Sequence, residues 1–341
     1  MKRVILKGPD FCAVTERGRL TEYIPLDPDD QSGDIVLGRI NRIMPGINGA
    51  FADIGRKKNG FLPLDENGKT FQKGKPKSGE LLILQIRKEE TGEKGAFLTQ
   101  DITIAGTYTI LMPLNRYIGI SSRIREESER ERLKQFGREI AGDRFGLVIR
   151  HSAPEAEEKE ILKETEELFA AWKGIKEKAS AGGKPGTILY HSSALETLKN
   201  DYCDYEIDEI RDVSELTPDQ KRQLAVSENR TVHLPHGGNI VIDRCEAMTV
   251  IDVNTASVHS SGNKEQTIFE TNLESCAEIA VQTRLRDISG IIIIDFIDME
   301  NETDRLLISE RMKECFSEDR IKTVIHGWTK LGLLEMTRKR R

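Results

Sequence analysis

No two cysteines of this chain form a CxxC pair, no apolar run reaches the 18 residues that mark a membrane-spanning helix, and no surplus of basic residues marks a nucleic-acid binder. Each absence removes a class of protein. The five cysteines (Cys12, Cys203, Cys245, Cys276, Cys315) are scattered through 341 residues, which argues against a disulfide framework or a paired-thiol zinc site and for reduced, partly buried thiols. The opening MKRVILKG lacks the apolar core of a signal peptide, so the expectation is a cytoplasmic protein without a membrane span. A net charge of −6 points away from RNA, and any nucleic-acid contact must come from local clusters. What is present, 37% hydrophobic and 32% charged residues, suffices for more than one core.

The most informative stretch runs from Gly237 to Met299, opening with GGNIVIDRCEAMTVIDVNT and closing with DISGIIIIDFIDM. Ala247 to Val253 is apolar except for Thr249 and Asp252, and Ile291 to Ile294 is a continuous apolar run that ends on Asp295. Such runs predict strands buried on both faces. Between them Ile268, Phe269, Leu273, Cys276, Ala280 and Leu285 recur at helical spacing, with Gly290 placed as a helix stop. In a strand, helix, strand unit with parallel strands, both C-terminal ends reach one sheet edge, where Asp252 and Asp295 would face each other. A carboxylate in apolar surroundings either neutralises or finds a cation. A hard divalent ion is one such cation: Mg²⁺ takes one or two carboxylates plus water and phosphate oxygens. Asn254, two residues beyond Asp252, would share its side of the strand. The pattern is equally compatible with aspartates that merely open a turn.

Elsewhere the chain alternates between strand-rich and helix-rich blocks. Residues 1–32 read as a hairpin reversing at Glu16 to Gly18. From Gly33 to about residue 100, short β-rich runs separated by Gly, Pro and Asn predict a small barrel, with Phe51 and Phe61 flanking the basic tip GRKKNG. On pattern alone both phenylalanines fit a core better than an RNA-stacking surface. The KTFQKGKPKSG run reads as a solvated loop. Next come a charged helix, REESERERLKQFGREI, and an amphipathic one carrying Ile161, Leu162, Leu168, Phe169, Trp172 and Ile175 on one stripe. SAGGKPG is the best linker candidate, and the terminal TRKRR reads as a solvated basic tail or a phosphate contact.

Three blocks, LPHGGNIVIDRCEAMTVIDVNT, FETNLESCAEIAVQTRLRDISGIIIIDFIDM and GLLEMTRKR, resemble in order the signature blocks of the ribonuclease E/G family of bacterial endoribonucleases. Members cut single-stranded RNA and leave a 5′-phosphate on the downstream product. The resemblance implies an α/β multi-subdomain fold. An RNase H-like scaffold (1–32 plus 182–232) is interrupted by an OB-fold RNA-binding barrel (33–100) and a 5′-sensor subdomain (101–181), and is followed by a DNase I-like catalytic subdomain (233–341). It implies that Asp252 and Asp295 hold the catalytic Mg²⁺, that Asn254 assists, and that Phe51, Phe61, Lys88 and Lys94 contact RNA. Arg150 matches the phosphate-binding arginine of the sensor, whereas His151 stands for a threonine and Lys322 for an arginine, departures that predict weak selection for a 5′-monophosphate. The segment 213–234 is shorter than the family's, and the sequence stops before the family's zinc-linking cysteines, so a zinc-linked dimer or tetramer is not expected. The implied function is Mg²⁺-dependent endonucleolytic cleavage of single-stranded RNA. The alternative is a non-catalytic single-stranded RNA-binding protein on the same fold, against which the intact Asp252, Asn254 and Asp295 stand. A DNA nuclease is a weaker reading, excluded only by substrate competition.

Overall fold

The computed structural model describes residues 3–27, 29–65, 74–90, 92–202, 205–255, 264–317 and 319–339. They form two compact units, Met1–Leu26 with Asp204–Arg341, and Asp27–Cys203. The first unit opens with an antiparallel meander of β1 (Arg3–Lys7), β2 (Phe11–Glu16) and β3 (Arg19–Pro25). The chain reverses between β2 and β3 at Arg17 and Gly18, both with positive φ (52° and 78°), as the tight turns that match strand twist require.

In the second unit β4 (Ile35–Met44), β5 (Gly49–Asp53), β6 (Gly60–Pro63), β7 (Leu81–Lys88) and β8 (Phe97–Thr99) close on themselves, because β4 pairs with both β5 and β7 while β8 joins β6 to β7. The five-stranded barrel leaves no open edge around an interior of Ile40, Ala50, Ala52, Leu62, Leu84 and Leu98. A second sheet follows, built from β9 (Ile104–Ala105), β10 (Thr109–Met112), β11 (Ile118–Ile120) and, after helix α1 (Glu127–Ala141), β12 (Gly146–Ile149). Helix α2 (Glu158–Ser180) is started by a capping box between Glu157 and Glu160. It buries Ile161, Thr165, Trp172 and Ile175. Leu162, expected on the same stripe, is 43% exposed, because it lies a quarter-turn off the 161, 165, 168, 172, 175 line. The SAGGKPG stretch is a packed turn within this unit: the Gly186 N–H donates to the Leu37 carbonyl at 2.8 Å. Strand β13 (Ile188–Tyr190) then pairs with β4, and α3 (Ala194–Asp201) ends the unit. The first part of the KTFQKGKPKSG run, residues 69–73, falls outside the described residues.

Back in the first unit, β14 (Tyr205–Glu209) lies parallel to β1 and completes a four-stranded sheet, and α4 (Pro218–Ser227) follows. The remaining elements are β15 (Thr231–His233), β16 (Asn239–Arg244), β17 (Met248–Asn254), α5 (Lys264–Leu285), β18 (Gly290–Asp295), α6 (Glu302–Phe316), β19 (Thr323–Trp328) and β20 (Leu334–Arg338). They make a six-stranded sheet, order β15-β16-β17-β18-β20-β19, in which β17 and β18 are parallel. The crossover helix α5 and its neighbour α6 pack on one face over Ile251, Val253, Ile292, Ile294 and Met336.

This corrects the expectation of strands buried on both faces. Met248 and Ile291 are 38% and 47% exposed, because both helices cover the same side of the sheet. An uninterrupted isoleucine run does not distinguish the two cases. Gly290 does not stop the helix either: α5 ends at Leu285, and Gly290 (φ 90°) opens β18. The basic end is also partly interior. Arg338, 2% exposed, donates to Asp319 at 2.7 and 3.2 Å, to Asp287 at 3.2 Å and to the Ile288 carbonyl at 3.0 Å. The buried pair of Arg320 and Glu22, at 2.6 Å, joins the residues preceding β19 to β3. Among the described residues Cys12, Cys245, Cys276 and Cys315 are free thiols, and no helix is long and apolar enough to cross a membrane.

Candidate active site

The parallel register of β17 and β18 sets Asp252 beside Asp295. Register partners in adjacent strands project to the same side, and the alternating burial of β17, with Ile251 and Val253 inward, turns this pair to the open face of the sheet. Asp252 is half-buried and Asp295 exposed. Two residues along the strand, the Asn254 amide donates to the Asp252 carboxylate at 2.8 Å and fixes its orientation. Partial burial, then the neighbouring charges of Asp252 and Asp298, pushes the Asp295 carboxyl above the ordinary aspartate range. Among the described residues no group of three or more His, Cys, Asp or Glu could hold a metal ion, so the donor set is two carboxylates with positions left for water or a phosphate. That is the set a Mg²⁺ ion accepts.

The loop after β18 is held from below. Asn272 of α5, fully buried, donates to the Ile297 carbonyl at 2.8 Å and accepts from the Ile297 N–H at 3.1 Å. This clamp fixes the backbone next to Asp298, a third acidic residue that the sequence reading passed over although it is the second aspartate of DFIDM. Two registers away on the same open face, Arg230 and Asp243 form a bidentate pair at 2.6 and 2.7 Å, and that hydrogen bonding holds the Asp243 carboxyl below its usual range.

In the barrel, Phe51 and Phe61 are register partners, with ring centroids 5.7 Å apart, and neither belongs to the interior cluster. The expectation of core phenylalanines fails because alternation gives the inward positions to Ala50, Ala52 and Leu62. Register extends the pair into a row across the outer surface: Arg42 opposite Phe51, Phe61 opposite Phe97, and Phe97 opposite Lys88. Phe97 is 39% exposed, its ring 6.1 Å from that of Phe61, and Arg42 and Lys88 are exposed at the two ends. Arg42 and Phe97 were missed by sequence reasoning, since only strand pairing brings them into line. Lys94 is exposed on the loop before β8, off this row.

The residues matched to a 5′ sensor are divided. Arg150, whose side chain is 11% exposed, forms an ion pair with Asp201, and the His151 ring nitrogen lies 3.4 Å from Arg123. Beside them, the Glu164 carboxylate accepts from the N–H groups of Thr107, Tyr108 and Thr109 at 2.7, 2.8 and 3.0 Å. Lys322 is exposed and belongs to the other unit.

Comparison with known proteins is consistent across the chain. A family model described as the Ribonuclease E/G family matches residues 103–228 and 218–341. Ribonuclease G of Escherichia coli is 36% identical over 357 aligned positions, covering 90% of this chain and 72% of that protein. Ribonuclease G of Haemophilus influenzae is 33% identical with the same coverage, 90% and 72%. Ribonuclease E of a Nostoc species is 33% identical over 99% of this chain and 55% of its own length.

Proposed function

This chain belongs to the ribonuclease E/G family and is an endoribonuclease, and from that premise we propose that it cuts single-stranded RNA in a Mg²⁺-dependent reaction that leaves a 5′-phosphate on the downstream product. The observation that carries the proposal is the side-by-side register of Asp252 and Asp295 on an open sheet face. These two carboxylates would hold the ion, and the Asn254 amide, donating to Asp252, keeps that carboxylate from turning away. When bound, Mg²⁺ supplies charge that offsets the phosphodiester under attack and acidifies water. The Asn272 clamp on Ile297 keeps the loop after Asp295 from shifting when RNA enters.

Binding is assigned elsewhere. The barrel row of Arg42, Phe51, Phe61, Phe97 and Lys88 offers rings for base stacking with a cation at each end for the backbone, and Lys94 adds charge nearby. The barrel supports an OB-type role, the four-stranded β14-β1-β2-β3 sheet an RNase H-like scaffold, and the six-stranded sheet a DNase I-like catalytic subdomain. Selection for a 5′-monophosphate is weak in this reading, since the Arg150 guanidinium is paired with Asp201 and His151 replaces a smaller hydroxyl donor.

The test is incubation of end-labelled single-stranded RNA with the protein in Mg²⁺ or in EDTA, followed by end-group analysis. Internal cuts in Mg²⁺ alone, with 5′-phosphate on the downstream fragment, are expected. Equal cutting in EDTA removes the metal assignment. Tight binding without cutting in either condition would establish the non-catalytic alternative.

A further inference from the structure

Asp252 and Asp295 border a wider polar strip. Strand register pairs His233 with Asn239 and Asn239 with Asn254, so one side chain from each of β15, β16 and β17 stands in a single row across the open face. This row lies one step along the strands beyond the row that holds Val241, Asp252 and Asp295. Neighbouring strands are about 4.8 Å apart, which puts His233 roughly 10 Å from Asn254. His233 is exposed and Asn239 half-buried. The Asn254 amide is taken up by Asp252, whereas neither His233 nor Asn239 uses its side chain in a hydrogen bond among the described residues.

The two directions along the strands from the carboxylates differ in chemistry. Toward the N-terminal ends of β17 and β18 the open face carries Val250, Ile293, Met248 and Ile291, the last two 38% and 47% exposed, and the Arg230 and Asp243 charges there are spent on each other. Toward the C-terminal ends β15 and β16 carry the hydrogen-bonding side chains of His233 and Asn239, with the acidic Asp298 on the loop beyond β18. A strand that delivers one phosphate to the carboxylate pair must seat the adjoining phosphate close by, where a further carboxylate would repel it and an apolar surface would leave it unsolvated. Amide and imidazole N–H groups can donate to it.

We propose that His233 and Asn239 form a subsite for the phosphate of the nucleotide adjoining the scissile bond, both donating to its non-bridging oxygens. This rests on the reading of the sheet face as a nuclease site and names a contact on that face outside the metal ligands. The turn from β15 to β16 lies at this edge, where the Glu274 carboxylate accepts from the His236 N–H at 3.3 Å and from its ring at 2.7 Å, holding the hairpin in place.

The test uses the full chain with His233→Ala, Asn239→Ala and His233→Arg, each also made on an Asp252→Asn background that cuts slowly. In that background, with EDTA present, affinity for a single-stranded RNA is read by fluorescence anisotropy. In the otherwise native protein, kcat and KM are read in Mg²⁺. Each alanine variant is expected to lose affinity about tenfold and to raise KM alike, with kcat held within about twofold, as removal of one hydrogen bond to a charged oxygen implies. His233→Arg retains affinity, which a packing role for His233 would not allow. Unchanged affinity and KM in both alanine variants, or loss of affinity in His233→Arg equal to that in His233→Ala, would overturn the subsite. Failure of the unsubstituted protein to cut RNA in Mg²⁺ would instead remove the nuclease reading, and the affinities alone would then decide whether the row binds phosphate.

Discussion

The barrel row and the open sheet face are built alike and charged oppositely. Each is a line of register partners crossing several strands, but the barrel line is aromatic with a cation at either end, whereas the sheet line centres on two aspartates. A surface that holds RNA needs rings and positive charge. A surface that cuts RNA through a metal ion needs anions that repel RNA until the ion arrives. One surface cannot be optimal for both, and the proposed division of labour between the two follows from that conflict. It also explains why a net charge of −6 misleads: the average over the chain hides a local cationic and aromatic line.

The comparison can be broken or sharpened by substitution. The largest effect is expected at Arg338, which supports the six-stranded sheet from within. Arg338→Ala removes the buried cation that faces Asp319, itself 1% exposed, and stability measured by urea denaturation should fall by about 3–5 kcal/mol. A loss under 1 kcal/mol would return Arg338 to the surface tail that the sequence pattern predicts. Next in size, Asp252→Asn should slow cleavage in Mg²⁺ by about two to three orders of magnitude. Cutting at the unsubstituted rate would remove Asp252 from the site.

Phe51→Ala, Phe61→Ala and Phe97→Ala should each weaken single-stranded RNA binding by about 1–3 kcal/mol through lost stacking, with the melting temperature little changed. If the order is reversed, with stability lost and affinity kept in the folded fraction, the rings belong to the barrel's packing. The smallest effect concerns Asp295. Its folded-state pKa is raised, so the ionised form destabilises the metal-free fold at pH values above that pKa, and the deficit disappears as pH falls below the unfolded value. Asp295→Asn should therefore stabilise the metal-free protein at pH 7 by about 0.5 kcal/mol after solvent screening, and the gain should vanish in acid. A gain that persists unchanged at pH 3 would argue against charge repulsion as its cause.

Much of this was legible before any coordinates, and the remainder was not for definable reasons. The strand, helix, strand unit around Asp252 and Asp295 was readable because both strands are apolar to their ends and the helix between them is periodic. The barrel followed from short runs punctuated by glycine and proline. Which face of each strand is covered was not legible, since Ile291 to Ile294 reads identically whether helices pack on one side or two. Arg42 and Phe97 were invisible because their place in the row depends on pairing between strands distant in sequence. Arg338 was read as tail because a basic run carries no mark of the two aspartates, 19 and 51 residues away, that bury one of its members.

The central claim is that capture and cutting reside on different rows, and one paired measurement tests it. RNA affinity in EDTA and kcat at saturating RNA in Mg²⁺ are determined for Asp252→Asn/Asp295→Asn and for Phe51→Ala/Phe61→Ala. The account predicts that the aspartate variant keeps its affinity and loses kcat, while the phenylalanine variant loses affinity and keeps kcat within a few-fold. An aspartate variant that no longer binds RNA, or a phenylalanine variant whose kcat falls as far as that of the aspartate variant, would contradict it.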